Sequence, residues 1–217
     1  MNRFTRIGKL VCLALALTFA LGTALAETVT YDAVYSSENP IPEIAANVRP
    51  SVVGVTVSLE SWDPVTRVAS VDPVSGGSGC YIQSADLGGY ILTNYHVVEE
   101  GDVFTIEWLD GTEMECDLVG YDDGTDIAVL KFDEDAPNGA LPIPMGDSDE
   151  LQIGELIIAI GNPGSSTSTL PGTVTAGIVS GLEREANADN FSRSVSVIQI
   201  DAAINTGNSG GALLNSK

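Results

Sequence analysis

An all-β fold, arranged as a barrel or a sandwich, is what this sequence predicts. Short apolar stretches follow one another along the chain, and the clearest of them alternate with a period of two. Gly-, Asn- and Asp-rich turn signals separate them, while almost no stretch carries a helical period. The 23 glycines and the 6% aromatic content also suit a loop-rich β protein.

In chain order, residues 27–41 are polar, with Ser36, Ser37, Asn39 and Pro40, and read as a flexible lead-in. Pro42 to Val48 forms a short helix that Pro50 ends, because the residue before a proline is pushed away from helical angles. Ser51–Glu60 sets Val53, Val55, Val57 and Leu59 against smaller or polar residues, which is a strand. Ser61–Ser75, with Pro64 and Pro73, reads as a loop. Further strands are expected at Gly77–Gln83, Tyr90–Val98, Val103–Leu109, Glu113–Asp122 and Asp126–Phe132. Ala85–Gly89 is a turn, and Asp110-Gly111 is a strong hairpin signal. Ala136–Pro144, rich in Pro and Gly, reads as a linker, and Leu156–Gly161, Thr173–Leu182, Ser194–Ala202 and Gly210–Asn215 form a second strand set. That makes six strands before the linker and four after it. The domain boundaries that follow are a lead-in over 27–45, a first β unit over 46–140 and a second over 141–217.

The formal charge is −21, and leaving out the three cations of residues 1–26 takes it to −24. Phosphate binding needs clustered Lys and Arg, so this charge argues against nucleic acid and anionic membrane as partners. Residues 1–26 read as a secretory signal, with Arg3, Arg6 and Lys9 first, an apolar run from Leu10 to Leu21, and the small-residue pattern Ala24-Leu25-Ala26. The run is short for a membrane span, so any membrane attachment would come through an uncleaved signal. The expected location is outside the cytoplasm, in the periplasm, the cell envelope or the extracellular space. Cys80 and Cys116 would remain in the mature chain. Export would let them pair, but both sit in strand-like apolar contexts and read as buried thiols. One histidine and two cysteines give no zinc-site spacing, and the acid clusters lack the calcium-loop pattern. No metal or cofactor is expected.

The stretch richest in chemistry is Gly207-Asn208-Ser209-Gly210-Gly211, which lies between two apolar runs. A serine among glycines sits on a sharp turn with its hydroxyl uncovered. There the N–H groups of Gly207 and Ser209 can form an oxyanion hole. Taken alone, a serine among glycines more often marks a plain glycine-rich hairpin turn. Serine is a poor nucleophile without a base and a carboxylate to orient that base. His96 is the only histidine in the chain and so the only imidazole base available. An imidazole titrates near neutrality, which suits a group that takes a proton and returns it. The carboxylate must come from 30 acidic residues. Asp126, at the start of a strand, can point inward, while Asp122 and Asp123 are alternatives expected to face solvent.

Seven segments in order resemble the trypsin-like serine proteases of the HtrA (Deg) family. They are Arg49-Pro50-Ser51-Val52-Val53-Gly54-Val55, Gly77-Ser78-Gly79, the stretch from Thr93 to Val98, that from Thr125 to Lys131, Ala159-Ile160-Gly161-Asn162-Pro163, the stretch from Thr175 to Ser180, and that from Gln199 to Ala212. The resemblance covers roughly residues 45–217. It implies two six-stranded β-barrels with an active site between them, His96 as general base, Asp126 as its orienting partner and Ser209 as nucleophile. It also implies an oxyanion hole from the Gly207 and Ser209 amides, with Ile204 lining the pocket for a small aliphatic residue such as Val or Ala. The family cleaves unfolded or damaged exported polypeptides without ATP, commonly as homotrimers. On the strand count the second barrel holds about four of six strands, as expected of a piece of a longer protease that carries a PDZ module. The other function class left open is a non-catalytic β protein that holds misfolded chains.

Overall fold

The computed structural model describes residues 39–85, 87–165, 168–186 and 194–216. The predicted secretory signal and the lead-in up to residue 38 lie outside the described residues. The first element is helix α1 (Ile41–Val48), which takes in the last residues of the predicted lead-in. A closed six-stranded barrel follows, built from β1 (Val52–Asp63), β2 (Val68–Ser84), β3 (Gly89–Thr93), β4 (Val103–Glu107), β5 (Glu113–Asp122) and β6 (Ile127–Phe132). Its order is β1-β2-β3-β6-β5-β4, and β4 pairs back onto β1. A second, four-stranded sheet has the order β11-β10-β7-β12, from β7 (Leu156–Gly161), β10 (Thr173–Ala186), β11 (Val195–Ile200) and β12 (Ala212–Leu214). A small ribbon pairs β8 (Gly164–Ser165) with β9 (Ser168–Thr169).

Period two on β1 explains how the halves join. Val53, Val55 and Val57 point into the barrel with Ile91, Ile106 and Leu130. Val52 belongs instead to a second core with Cys80, Ile143, Ile158, Ile160 and Ala212, against which α1 packs. Inside the barrel, Tyr81, Trp108 and Phe132 meet edge to face at 5.4–5.7 Å between ring centroids, a favourable aromatic geometry. The Trp108 N–H reaches Met114 Sδ at 3.3 Å.

Three expectations need correction. Residues 61–75 are not a loop, because β1 and β2 continue as a ribbon through Asp63↔Val68. Asp63 caps its turn, accepting from the Val65 amide at 2.7 Å, and Pro73 sits at the register shift beside Ser58, where the ladder is interrupted anyway. The strand expected over Tyr90–Val98 ends at Thr93, and Tyr95–Val98 forms a short helix, α2. Ala136–Pro144 is docked rather than loose. The Ser51 hydroxyl donates to the Leu141 carbonyl at 2.7 Å, and Ala140 and Ile143 are buried.

Cys80 and Cys116 are free, and they serve different cores. Burial pushes both thiols up to about 12, with Asp117 and Asp133 adding to the rise at Cys116. Peptide-resolved alkylation at pH 8 is expected to leave both unmodified in the folded protein and to modify both after denaturation. A thiol raised in the folded state stabilises it below the unfolded value of 9.0. That contribution falls as the pH rises from there toward 12. Replacing both cysteines with alanine should therefore flatten the loss of stability seen above about pH 9 in thermal melts and leave its pH dependence below about pH 8 unchanged.

Candidate active site

Asp126 is the residue on which the local structure turns. It sits where β6 begins, only 4% exposed, with a left-handed backbone at φ +57°. Such an angle is uncommon outside glycine, although aspartate tolerates it better than most residues. Asp122 builds the turn leading into it, its carboxylate accepting from the Gly124 amide at 3.0 Å and the Thr125 hydroxyl at 2.8 Å.

Every polar group of Asp126 that can accept holds the opposite segment. Its carbonyl accepts from the Tyr95 amide at 3.2 Å and from Asn94 Nδ2 at 2.8 Å. Carboxylate oxygen Oδ1 accepts from the His96 backbone N–H at 2.8 Å, and Oδ2 lies 2.6 Å from His96 Nδ1. The first amides of a helix have no partner within it, and a buried N–H left unpaired costs about 1–3 kcal/mol. Asp126 supplies the partners for Tyr95 and His96, which is why α2 forms where a strand was expected. It also fixes the ring. A carboxylate only accepts, so Nδ1 carries the proton and Nε2 is left as the basic nitrogen. The His96 side chain is 30% exposed, enough to be reached from solvent. Next to it the Tyr95 and Tyr121 rings stack at 4.6 Å.

Ser209 lies on the turn between β11 and β12. Asn205–Asn208 is closed by the Asn208 amide donating to the Asn205 carbonyl at 3.0 Å, and Gly207 takes φ +93° at its third position. That is the position of a type II turn that calls for glycine. Among the described residues, the Gly207 and Ser209 amides have no hydrogen-bond acceptor, so both donors remain available.

The turn is seated on the first barrel beside α2. The Ser78 amide donates to the Ser209 carbonyl at 2.8 Å. A β-carbon on Gly77 would stand 2.8 Å from a Val97 methyl and 2.9 Å from the Ser209 carbonyl, so only glycine lets the two segments approach there. The structure thus brings His96 and Asp126 into direct contact and sets Ser209 in their neighbourhood. Among the described residues, Ser209 Oγ makes no hydrogen bond to His96 Nε2. Ile204 is 56% exposed on the approach to the turn. Among the described residues no group of three His, Cys, Asp or Glu could hold a metal ion. Ser78, Thr93 and Asn162, which meet behind the turn, have no role in the sequence reading beyond their place in recurring segments.

Comparison with known proteins places the chain in a family. A family model for the trypsin-like peptidase domain matches residues 77–217, a span that contains all the candidate positions. The chain is 38% identical over 217 residues to Protease Do-like 1, chloroplastic, of Arabidopsis thaliana, covering 95% of this chain and 47% of the relative. It is 40% identical over 183 residues to Serine protease Do-like HtrA of Bacillus subtilis (strain 168), covering 81% and 40%. A third relative, Probable periplasmic serine endoprotease DegP-like of Rickettsia conorii, is 44% identical over 164 residues, covering 75% and 30%. The chain spans less than half the length of these curated relatives.

Because His96 is the only histidine, its tautomer can be read without assignment. In nitrogen-15 NMR of histidine-labelled protein, the neutral imidazole is expected to carry its proton on Nδ1. In Asp126→Asn, which asparagine can make at the same backbone angle, the amide NH₂ facing the ring should move the proton to Nε2. An unchanged tautomer would remove Asp126 from the orienting role.

Proposed function

This chain belongs to the trypsin-like peptidases, and from that premise we propose that it is a serine endopeptidase of the HtrA/Do type. The observation that carries the reading is the Asp126 grip on both the backbone and the ring of the unique His96.

In this reading a polypeptide lies across the Ser209 turn, and Ser209 Oγ attacks its scissile carbonyl carbon. His96 Nε2 takes the hydroxyl proton as the C–O bond forms, and Asp126 stabilises the resulting imidazolium without itself becoming protonated. The carbonyl electrons move onto oxygen, where the Gly207 and Ser209 amides receive them. Collapse of the tetrahedral intermediate breaks the C–N bond, and His96 returns its proton to the departing amine. Water then repeats the sequence on the acyl-enzyme and releases the second product. The Ser209–His96 hydrogen bond forms in the substrate complex, since such bonds commonly tighten only there. Ile204 lines the pocket for a small aliphatic side chain.

The family resemblance extends the proposal to ATP-independent cleavage of unfolded or damaged exported proteins, to a homotrimer, and to a periplasmic, cell-envelope or extracellular location. The sequence of residues 1–26 supports export. The acidic charge supports polypeptide rather than nucleic-acid partners. A second reading, a holding protein without turnover, draws on the exposed Trp62, Val65 and Val68 at the tip of the β1–β2 ribbon.

The deciding experiment incubates the protein with an unfolded casein and with a fluorophosphonate. Wild-type protein should cleave the casein and take the label on Ser209. Ser209→Ala should lose the label and at least about 10⁴-fold of the cleavage rate. A folded wild-type chain that neither cleaves nor labels, yet suppresses client aggregation equally well with Ser209→Ala, would overturn the peptidase reading in favour of the holding one.

A further inference from the structure

Four hydrogen bonds meet on Ser78, a residue of β2 with no exposed surface. Its amide donates to the Ser209 carbonyl at 2.8 Å, and its own carbonyl accepts from Thr93 Oγ1 at 2.7 Å. Its hydroxyl donates to the Gly207 carbonyl at 2.7 Å and accepts from the Asn162 amide at 2.8 Å. One oxygen atom therefore ties the turn carrying Ser209 to the chain just beyond β7, and both to the first barrel.

The consequence follows from peptide planarity. In a trans peptide the carbonyl and the following N–H point in opposite directions. The Thr206 carbonyl is held by the Gly164 amide at 3.1 Å, and the Asn208 carbonyl by the Gly211 amide at 2.9 Å. Those two bonds turn the Gly207 and Ser209 N–H groups the other way. Between these two planes lies the 207–208 peptide. Its carbonyl has the Ser78 hydroxyl as its partner among the described residues. Gly207, with φ at +93°, has the widest conformational freedom of any residue type. The N–H of this plane, on Asn208, donates to the Asn205 carbonyl at 3.0 Å, so the Ser78 hydroxyl is its second anchor. Without the hydroxyl the carbonyl end is released, the plane can tilt about its remaining bond, and the torsions that set the two flanking N–H groups shift with it.

We propose that Ser78, through its hydroxyl, is the positioning residue that aims the Gly207 and Ser209 amides at the developing oxyanion. The proposal rests on Ser209 being the nucleophile. Ser78 is buried and acts through the turn, not on the substrate.

Ser51 provides a matched contrast. It is also buried, at 1% exposure, and its hydroxyl also bridges a carbonyl and an amide, both of Leu141, at 2.7 and 3.1 Å. Removing either hydroxyl breaks two hydrogen bonds, buried at Ser78 and part-buried at Ser51, but only the Ser78 hydroxyl bonds the turn.

The test compares the full chain with Ser78→Ala, Ser78→Cys and Ser51→Ala. Thermal melts establish folding, and the concentration dependence of fluorophosphonate labelling separates probe binding from the rate of bond formation. Ser78→Ala should slow bond formation by about tenfold or more, as expected when an oxyanion-hole donor is misdirected, with probe binding changed by less than about twofold. Ser51→Ala should lower the melting temperature comparably and leave the labelling rate within about twofold. Equal rates in wild type and Ser78→Ala, or equal losses in both alanine variants, overturn the proposal. Should Ser78→Ala not fold, Ser78→Cys, close in size but a weaker donor, carries the same comparison. If folded wild type takes no label at Ser209, the nucleophile reading falls, and hydrogen exchange then judges Ser78. Faster exchange of the Asn208 and Gly211 amides in Ser78→Ala than in Ser51→Ala supports its hold on the turn, and equal exchange overturns it.

Discussion

A carboxylate taken out of water must be given partners, and at Asp126 that requirement shapes the surrounding chain. Burial of an unpaired charge is costly, while a carboxylate fully bonded to N–H donors is tolerated. Asp126 finds its donors on one short segment, at the His96 amide and the His96 ring. Its carbonyl takes the Tyr95 amide and the Asn94 side chain. The same four bonds satisfy a buried acid, end strand β3, start a helical turn and orient an imidazole. The strained backbone at φ +57° persists because its surroundings over-determine it.

The second half of the site depends on the first through a small number of buried polar contacts. The turn that carries Ser209 has its carbonyls bonded one after another. Asn205 and Asn208 accept from within the turn, Thr206 accepts from Gly164, and Gly207 and Ser209 accept from Ser78. A turn whose carbonyls are fixed has its amides fixed as well, which is what the proposed oxyanion hole would require. Preorganisation of this kind avoids reorganisation at the moment of reaction. Residues of both halves, Val52 and Cys80 with Ile158 and Ile160, also share one apolar core.

Features carried by local pattern were legible in the sequence, and those made by distant partners were not. Period-two valines marked β1, and Glu113–Asp122 matches β5 in full. A single histidine and a serine among glycines drew attention to the two positions the fold brings near each other. Among the acids left open by composition, the structure sets Asp126 against His96, while Asp122 organises the preceding turn. The helix at Tyr95–Val98 was hidden because its stabilising partner lies 30 residues away. Pro64 and Pro73 made the outer ribbon look like a loop, since a proline reads as a break unless the bulge that accommodates it is known. The meeting of Ser78 with Gly207 spans 129 residues and has no local signature.

If His96 and Ser209 act on one another, a ligand added at the serine must be felt at the imidazole. A small aliphatic boronic acid adds to a serine nucleophile and places a negative charge where the oxyanion would develop. With the single imidazole labelled with nitrogen-15, its addition is predicted to protonate Nε2 while Nδ1 keeps its proton toward Asp126. The Ser209→Ala protein should show no response. A boronate adduct on Ser209 that leaves the imidazole signals unmoved would contradict the account, because the base and the nucleophile would then not share a site.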